Sequence, residues 1–130
     1  MITGVNHVTL VVRDLDRSLS FWHEALGLRL RARAERMAYL EGGSLWLCLE
    51  CGTPAPARDD SHLALSCAPE DFARLEARLA GAPRWKANRS EGASLYLLDP
   101  DGHKIEIHLG TLGSRLAHYR ASRPEGMEIY

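Results

Sequence analysis

Two histidines stand at the same point of two similar short runs. His7 is the second residue of NHVTLVV (6–12), and His62, 55 positions further on, is the second residue of SHLALSC (61–67). Both runs are otherwise largely apolar, the composition of a buried strand. One histidine at the mouth of such a strand reads as readily as a hydrogen-bonded core residue as it does a ligand; two at equivalent points favour a shared site. A third candidate is Glu106 in DPDGHKIEIHL (99–109), where strand alternation sends Ile105, Ile107 and Leu109 to one face and Lys104, Glu106 and His108 to the other. A carboxylate in mid-strand among apolar neighbours needs a cation or a paired donor, because an isolated buried charge is costly. Lys104 or an arginine is the alternative to a metal. Two neutral imidazoles and one carboxylate suit a divalent transition ion and leave positions open for water or substrate. The place in the first half equivalent to Glu106 falls near Trp46 and Leu47, neither a ligand, so no fourth protein ligand is expected.

A second constellation lies close by. Lys86, Arg89 and Arg115 supply positive charge, while Asn88, Ser90, Ser94 and Tyr96 supply an amide and hydroxyls. Such a set suits a small dianion, and equally a solvated turn with surface charges. Alternation places Ser94 and Tyr96 on one face, and Thr9 on the face of His7. The turn NRSEGAS (88–94), rich in oxygen donors and flexible at Gly92, could also hold a monovalent cation.

The elements that must position these residues come in two rounds. GVNHVTLVV is followed by a helical segment, DLDRSLSFWHEALGL, with Leu15, Leu19, Trp22 and Leu26 at helical spacing, Asp14 or Asp16 as cap and Gly27 as stop. The strands RLRARA, MAYLEG and SLWLCLE come next. GTPAPARDD cannot continue a sheet and reads as a linker. Then SHLALSC, the helix PEDFARLEARLAG with Pro69 at its start and Phe72, Leu75 and Leu79 inward, and the strands PRWKAN, SLYLLD and HKIEIHL repeat the order. The pattern predicts an α+β chain, one domain over 1–130, built as a duplicated βαβββ unit with a first module at about 4–51 and a second at about 61–110, plus a C-terminal helix and tail.

Composition narrows the partners. A formal charge of −1 with 25% charged residues argues against a nucleic-acid binder or a polybasic membrane-surface protein and favours a small-molecule partner. MITGVNHV has no basic or apolar leader pattern, no apolar run reaches the length of a membrane span, and the chain reads as cytoplasmic. Cys48, Cys51 and Cys67 cannot all pair, and CLEC does not open a helix, so reduced thiols are expected.

Paired βαβββ modules carrying His, His and Glu resemble the vicinal oxygen chelate superfamily of glyoxalases, extradiol dioxygenases and bleomycin-resistance proteins. Within it, WKANRSEGASLYLLDPDGHKIEIHLGTLGSRL (85–116), together with TGVNHVTLVV, FWHEALGLRL and AYLEGGSLWLCL, is similar to the manganese-dependent fosfomycin glutathione transferases over nearly the whole chain. The resemblance implies a glyoxalase-like fold and an enzyme that opens the epoxide of fosfomycin by adding glutathione. It implies Mn2+ on His7, His62 and Glu106, and the phosphonate among Lys86, Ser90, Ser94, Tyr96 and Arg115. Thr9 would lie close to the epoxide, with Thr9, Lys86 and Tyr96 as catalytic residues. Tyr39 and Trp46 would shape the substrate pocket, and Asn88, Ser90, Gly92 and Ser94 would hold K+. It further implies a homodimer in which His7 comes from one chain and His62 with Glu106 from the other. Departures fall where the thiol should bind: Ala34 stands where relatives often carry tryptophan, CGTPAPARDD is short, and DDSHLALS lacks flanking aromatics. Another thiol, or water with Glu41 in a suitable neighbourhood for a base, is therefore an alternative. So are a ferrous dioxygenase, which would not need the anion cradle, and a metal-free binder.

Overall fold

A computed structural model describes residues 1–89 and 91–130. Strand β1 (Val8–Val12) leads through α1 (Leu15–Leu19) and a π-helical stretch (Ser20–Ala25) to β2 (Arg29–Arg33), β3 (Met37–Gly42) and β4 (Leu45–Cys51). After the linker come β5 (Leu63–Ser66), a 3₁₀ turn (Pro69–Asp71), α2 (Phe72–Arg78), β6 (Arg84–Lys86), β7 (Ser94–Leu98), β8 (Lys104–His108) and α3 (Leu112–Ser122). Each half makes a four-stranded sheet, ordered β1-β4-β3-β2 and β5-β8-β7-β6. In each the first strand is parallel to the last and the other pairings are antiparallel. The βαβββ duplication expected from the sequence is the architecture found.

Alternation decides which face of each sheet is dry. Val12, Ala38, Leu40, Leu47 and Leu49 of the first sheet and Leu95, Leu97, Ile105 and Ile107 of the second are buried, together with Leu15, Leu19, Trp22 and Leu79 from the helical side. Asp14 caps α1 by accepting from the Arg17 backbone N–H at 3.0 Å. Gly27, at φ +79°, ends the helical segment in a conformation that favours glycine. The 3.6-residue pattern predicted a single α-helix, but Leu26 N–H bonds the Phe21 carbonyl, one residue beyond the α spacing, at 2.9 Å. This wider turn accompanies full burial of Trp22, whose indole N–H points to Asp99 at 3.4 Å.

The turn 99–103 fastens the second half onto the first. Asp101 accepts from the Arg13 backbone N–H at 3.3 Å, the Pro100 carbonyl accepts from the Arg17 guanidinium at 2.8 Å, and His103 Nε2 donates to the Val11 carbonyl at 2.7 Å. His103 thus ties the two halves together. Lys104 donates to the carbonyls of Ala57 and Asp59 and secures the linker. The three cysteines are free thiols. Among the described residues no helix is long and apolar enough to cross a membrane.

Register corrects one expectation. In the first sheet Cys48 lies opposite both Thr9 and Tyr39; in the second, Glu106 lies opposite both Ala64 and Tyr96. Since Thr9 follows His7 by two residues and Ala64 follows His62 by two, the counterpart of Glu106 is Cys48, not Trp46 or Leu47. Loops of unequal length separate the strands of the two halves, so linear counting misplaces the position. One residue of error also reverses the face.

Candidate active site

The apolar residues of β8, Ile105 and Ile107, go into the core, and the intervening positions put Glu106 and His108 on the opposite face. Glu106 is only 8% exposed, and both of its oxygens are engaged. Oε1 accepts from the Ser94 hydroxyl at 2.6 Å, and Oε2 lies 3.0 Å from His62 Nε2. Burial alone would push this carboxyl up, but Ser94 and His62, helped by the nearby His108 and Tyr96, outweigh it and hold the carboxyl below its ordinary value. Glu106 is therefore an anion ready for a cation.

His62 sits immediately before β5, with Nδ1 2.6 Å from the Asp60 carbonyl. That oxygen can only accept, so Nδ1 carries a hydrogen. A neutral ring then turns a lone pair from Nε2 toward the Glu106 carboxylate, an arrangement that needs a proton or a metal cation between them. The 3.0 Å separation is also that of neighbouring donors at right angles about an ion with bonds of about 2.1 Å. The donor set fits a divalent metal. Among the described residues no group of three His, Cys, Asp or Glu side chains that could hold a metal ion is found, and His62 with Glu106 stands as a pair.

The same face carries the anion-binding candidates. Tyr96 is opposite Glu106 and Lys86 is opposite Tyr96, so three neighbouring strands present one row. Lys86 Nζ lies 5.5 Å from the Tyr96 ring centre, and the Trp85 ring packs 5.1 Å from that of His62. A cleft of about 510 Å³ opens here, lined by Arg84, Trp85, Lys86, Asn88, Ser94 and Tyr96. The Asn88 amide donates to the Gly92 carbonyl at 2.8 Å, and Gly92 stands at φ +82°. Ser90, expected at both the phosphonate and the K+ site, lies outside the described residues. Arg115 is placed by α3, whose first turn is capped reciprocally by Thr111 and Ser114. It donates to the Glu91 carboxylate at 3.3 Å and to the Glu91 carbonyl at 3.1 Å. It lines a separate small cleft with His108 rather than the cleft of Lys86.

The other candidates occupy the polar face of the first sheet. His7 precedes β1 and packs on Trp46, with ring centres 4.7 Å apart; Tyr39 packs edge-on against Trp46 at 5.4 Å. Thr9 is exposed beside them, and its cross-strand partner Cys48 is buried on the same face. A larger cleft of about 860 Å³, lined by residues 4–8, 42–46 and 63–67 among others, includes His7 and Trp46 but neither His62 nor Glu106. The predicted set therefore divides: His62, Glu106, Lys86, Ser94 and Tyr96 come together on one sheet, and His7, Thr9, Tyr39 and Trp46 on the other. Two residues outside the predicted set lie on these same faces, Cys48 and His108. The signal for His108 was its shared face with Glu106; for Cys48 only the register supplies it.

Two duplicated four-stranded sheets, each with a histidine just before its first strand, define the class of fold, and the chain belongs to the Glyoxalase/Bleomycin resistance protein/Dioxygenase superfamily, which it matches over residues 4–107. Within that superfamily it is 49% identical to the glutathione transferase FosA of Serratia marcescens, across 98% of this chain and 95% of that one. It is 35% identical to the metallothiol transferase FosB of Staphylococcus epidermidis, across 99% and 96%. Among solved structures it resembles the fosfomycin resistance protein FosX of Mesorhizobium loti, with a TM-score of 0.77, 32% identity and coverage of 89% and 99%. It also resembles FosX of Listeria monocytogenes complexed with Mn(II) and sulfate, with a TM-score of 0.78, 29% identity and coverage of 92% and 99%.

Proposed function

We propose that this protein inactivates fosfomycin by adding glutathione across its epoxide, with a divalent metal, Mn2+, and K+ as cofactors. The observation that carries the reading is the ionised Glu106 paired with His62 on the same polar face as Lys86 and Tyr96. The similarity to a FosA transferase over nearly the whole chain supports the choice of substrate and thiol. His62 and Glu106 of one chain, with His7 of a second copy, would hold the metal, which supplies Lewis acidity toward the oxirane oxygen.

The rest of the chemistry falls to the chain's own groups. The thiolate sulfur bonds to the epoxide carbon next to phosphorus, the carbon–oxygen bond breaks, and the electron pair goes to the oxygen, which takes up a proton. Thr9 offers a hydroxyl to that oxygen. Lys86, Tyr96 and Ser90 would orient the phosphonate, with Arg115 from the cleft it lines with His108, while the Ser94 hydroxyl is committed to Glu106; the positive charges reduce the repulsion between two anions that must meet. Tyr39 and Trp46, packed edge-on, would shape the substrate pocket. Asn88, Ser90, Gly92 and Ser94 would hold K+ close to the phosphonate.

Phosphorus NMR of fosfomycin with the purified protein, Mn2+ and K+ tests this. A new phosphonate resonance that appears only with glutathione is expected. A product formed without thiol would make the protein a hydrolase, a product only with another thiol would replace the co-substrate, and no product in any sample would overturn the reading.

A further inference from the structure

His108 is left over by the function proposed above, yet it is built into the site. It stands two residues after Glu106 on β8 and directly opposite Ser94 on β7. Its Nδ1 is 2.7 Å from the Ser94 oxygen, which in turn is 2.6 Å from Glu106 Oε1. Proton accounting fixes the direction of this chain. An ionised carboxylate only accepts, so the one Ser94 hydrogen points to Glu106, and the Ser94 oxygen must accept from His108, which therefore carries its hydrogen on Nδ1. The ring has little room for another pose. A Cβ built on Gly110 would stand 2.1 Å from His108 Nε2, and one built on Gly92 would stand 3.0 Å from its Cε1. Two glycines thus leave a slot that the imidazole fills. One of them, Gly92, has its carbonyl held by the Asn88 amide at 2.8 Å.

We infer that His108 is a positioning residue: through Ser94 it holds Glu106 Oε1, so that Oε2 alone is presented beside His62 Nε2. A carboxylate free to rotate offers a cation either oxygen, or both at once, and loses its alignment with the neighbouring imidazole. Partners that orient a ligand in this way commonly govern affinity for the metal.

The inference rests on His62 and Glu106 being metal ligands, and the test separates the two claims. Mn2+ is titrated into the full-length protein, with free Mn2+ read by EPR, for the wild type, Glu106→Gln, His108→Leu, His108→Asn and Gly110→Ala. Leucine and asparagine have nearly the same shape, but only asparagine retains an N–H near the position of Nδ1. His108→Leu is expected to weaken Mn2+ binding about 10- to 100-fold, with His108→Asn within about threefold of wild type. Gly110→Ala, which keeps the imidazole but displaces it, is expected to weaken binding as well and serves should the leucine variant not fold. In metal-free protein labelled with 15N-histidine, His108 is expected as the Nδ1–H tautomer, and Ser94→Ala is expected to release it. Leucine binding as well as wild type, or asparagine binding as poorly as leucine, would overturn the positioning role while leaving the ligands in place. Unchanged binding by Glu106→Gln would overturn the ligand assignment itself, and this inference with it.

Discussion

A mixture of two inactive variants decides whether the site is shared between chains. His7→Ala removes the metal candidate of the first sheet, and Glu106→Ala removes that of the second; each alone is expected to be inactive. In one chain His7 packs against Trp46 while His62 is paired with Glu106, on separate sheets. If a twofold dimer brings the first sheet of one copy to the second sheet of the other, a hybrid dimer contains one doubly damaged site and one intact site. Random exchange makes half of the dimers hybrids, and half of their sites are intact, so an equimolar mixture should recover about a quarter of wild-type activity. The variants are mixed under conditions that permit subunit exchange, and fosfomycin consumption in the presence of glutathione is followed against time. If each site were built within a single chain, every site in every dimer would lack a ligand and no activity would return. Persistent inactivity, with exchange verified by mass spectrometry of differently labelled copies, would therefore refute the shared-site reasoning.

Two further outcomes follow from the second sheet. The folded-state pKa of Glu106 is lowered, so its ionisation contributes stability above the ordinary glutamate value of 4.5 that is lost as the pH falls through the lower folded value. In metal-free protein, Glu106→Gln should cost about 1–2 kcal/mol at neutral pH, and the gap from wild type should close below 4.5, as read by urea melts across the pH range; a gap that does not change with pH would contradict this. Lys86→Met should lower kcat/KM for fosfomycin about 10- to 100-fold, the loss of one charge-assisted contact of roughly 1.5–3 kcal/mol. Steady-state kinetics checks this, and an unchanged kcat/KM would remove Lys86 from the anion cradle.

The strands were legible because alternation is a local property. HKIEIHL announces a core face and a polar face without reference to any partner, and Glu106 stands out as a charge in the interior of a strand. The duplication was legible from NHVTL against SHLAL, and with it the pairing of His7 with His62. What the sequence hid was mostly cross-strand. The match of Cys48 to Glu106 depends on which residues lie opposite each other, and that is set by turns of unequal length. The role of His108 depends on a serine on the neighbouring strand and on two glycines whose missing side chains make its slot. The π-helical turn was hidden for another reason: Leu15, Leu19 and Trp22 fit α-helical spacing until the last turn widens.

The register comparison gives the asymmetry of the two halves a chemical sense. Histidine is retained at both first-strand positions and tyrosine at both Tyr39 and Tyr96, whereas the carboxylate of Glu106 is answered by the thiol of Cys48. On the proposed function, two imidazoles and one carboxylate would leave a divalent ion with a net positive charge. A second carboxylate at position 48 would cancel that charge and weaken any Lewis acidity the metal supplies. Duplication would supply two symmetric half-sites, but a reaction that develops negative charge on one oxygen is served better by an incomplete set. The two faces differ in kind, one carrying Thr9, Tyr39 and Trp46, the other Glu106, Lys86 and the Ser94–His108 pair. Such specialisation has value only where the two faces meet, which is why the fate of the mixed variants bears on the chemistry as much as on the assembly.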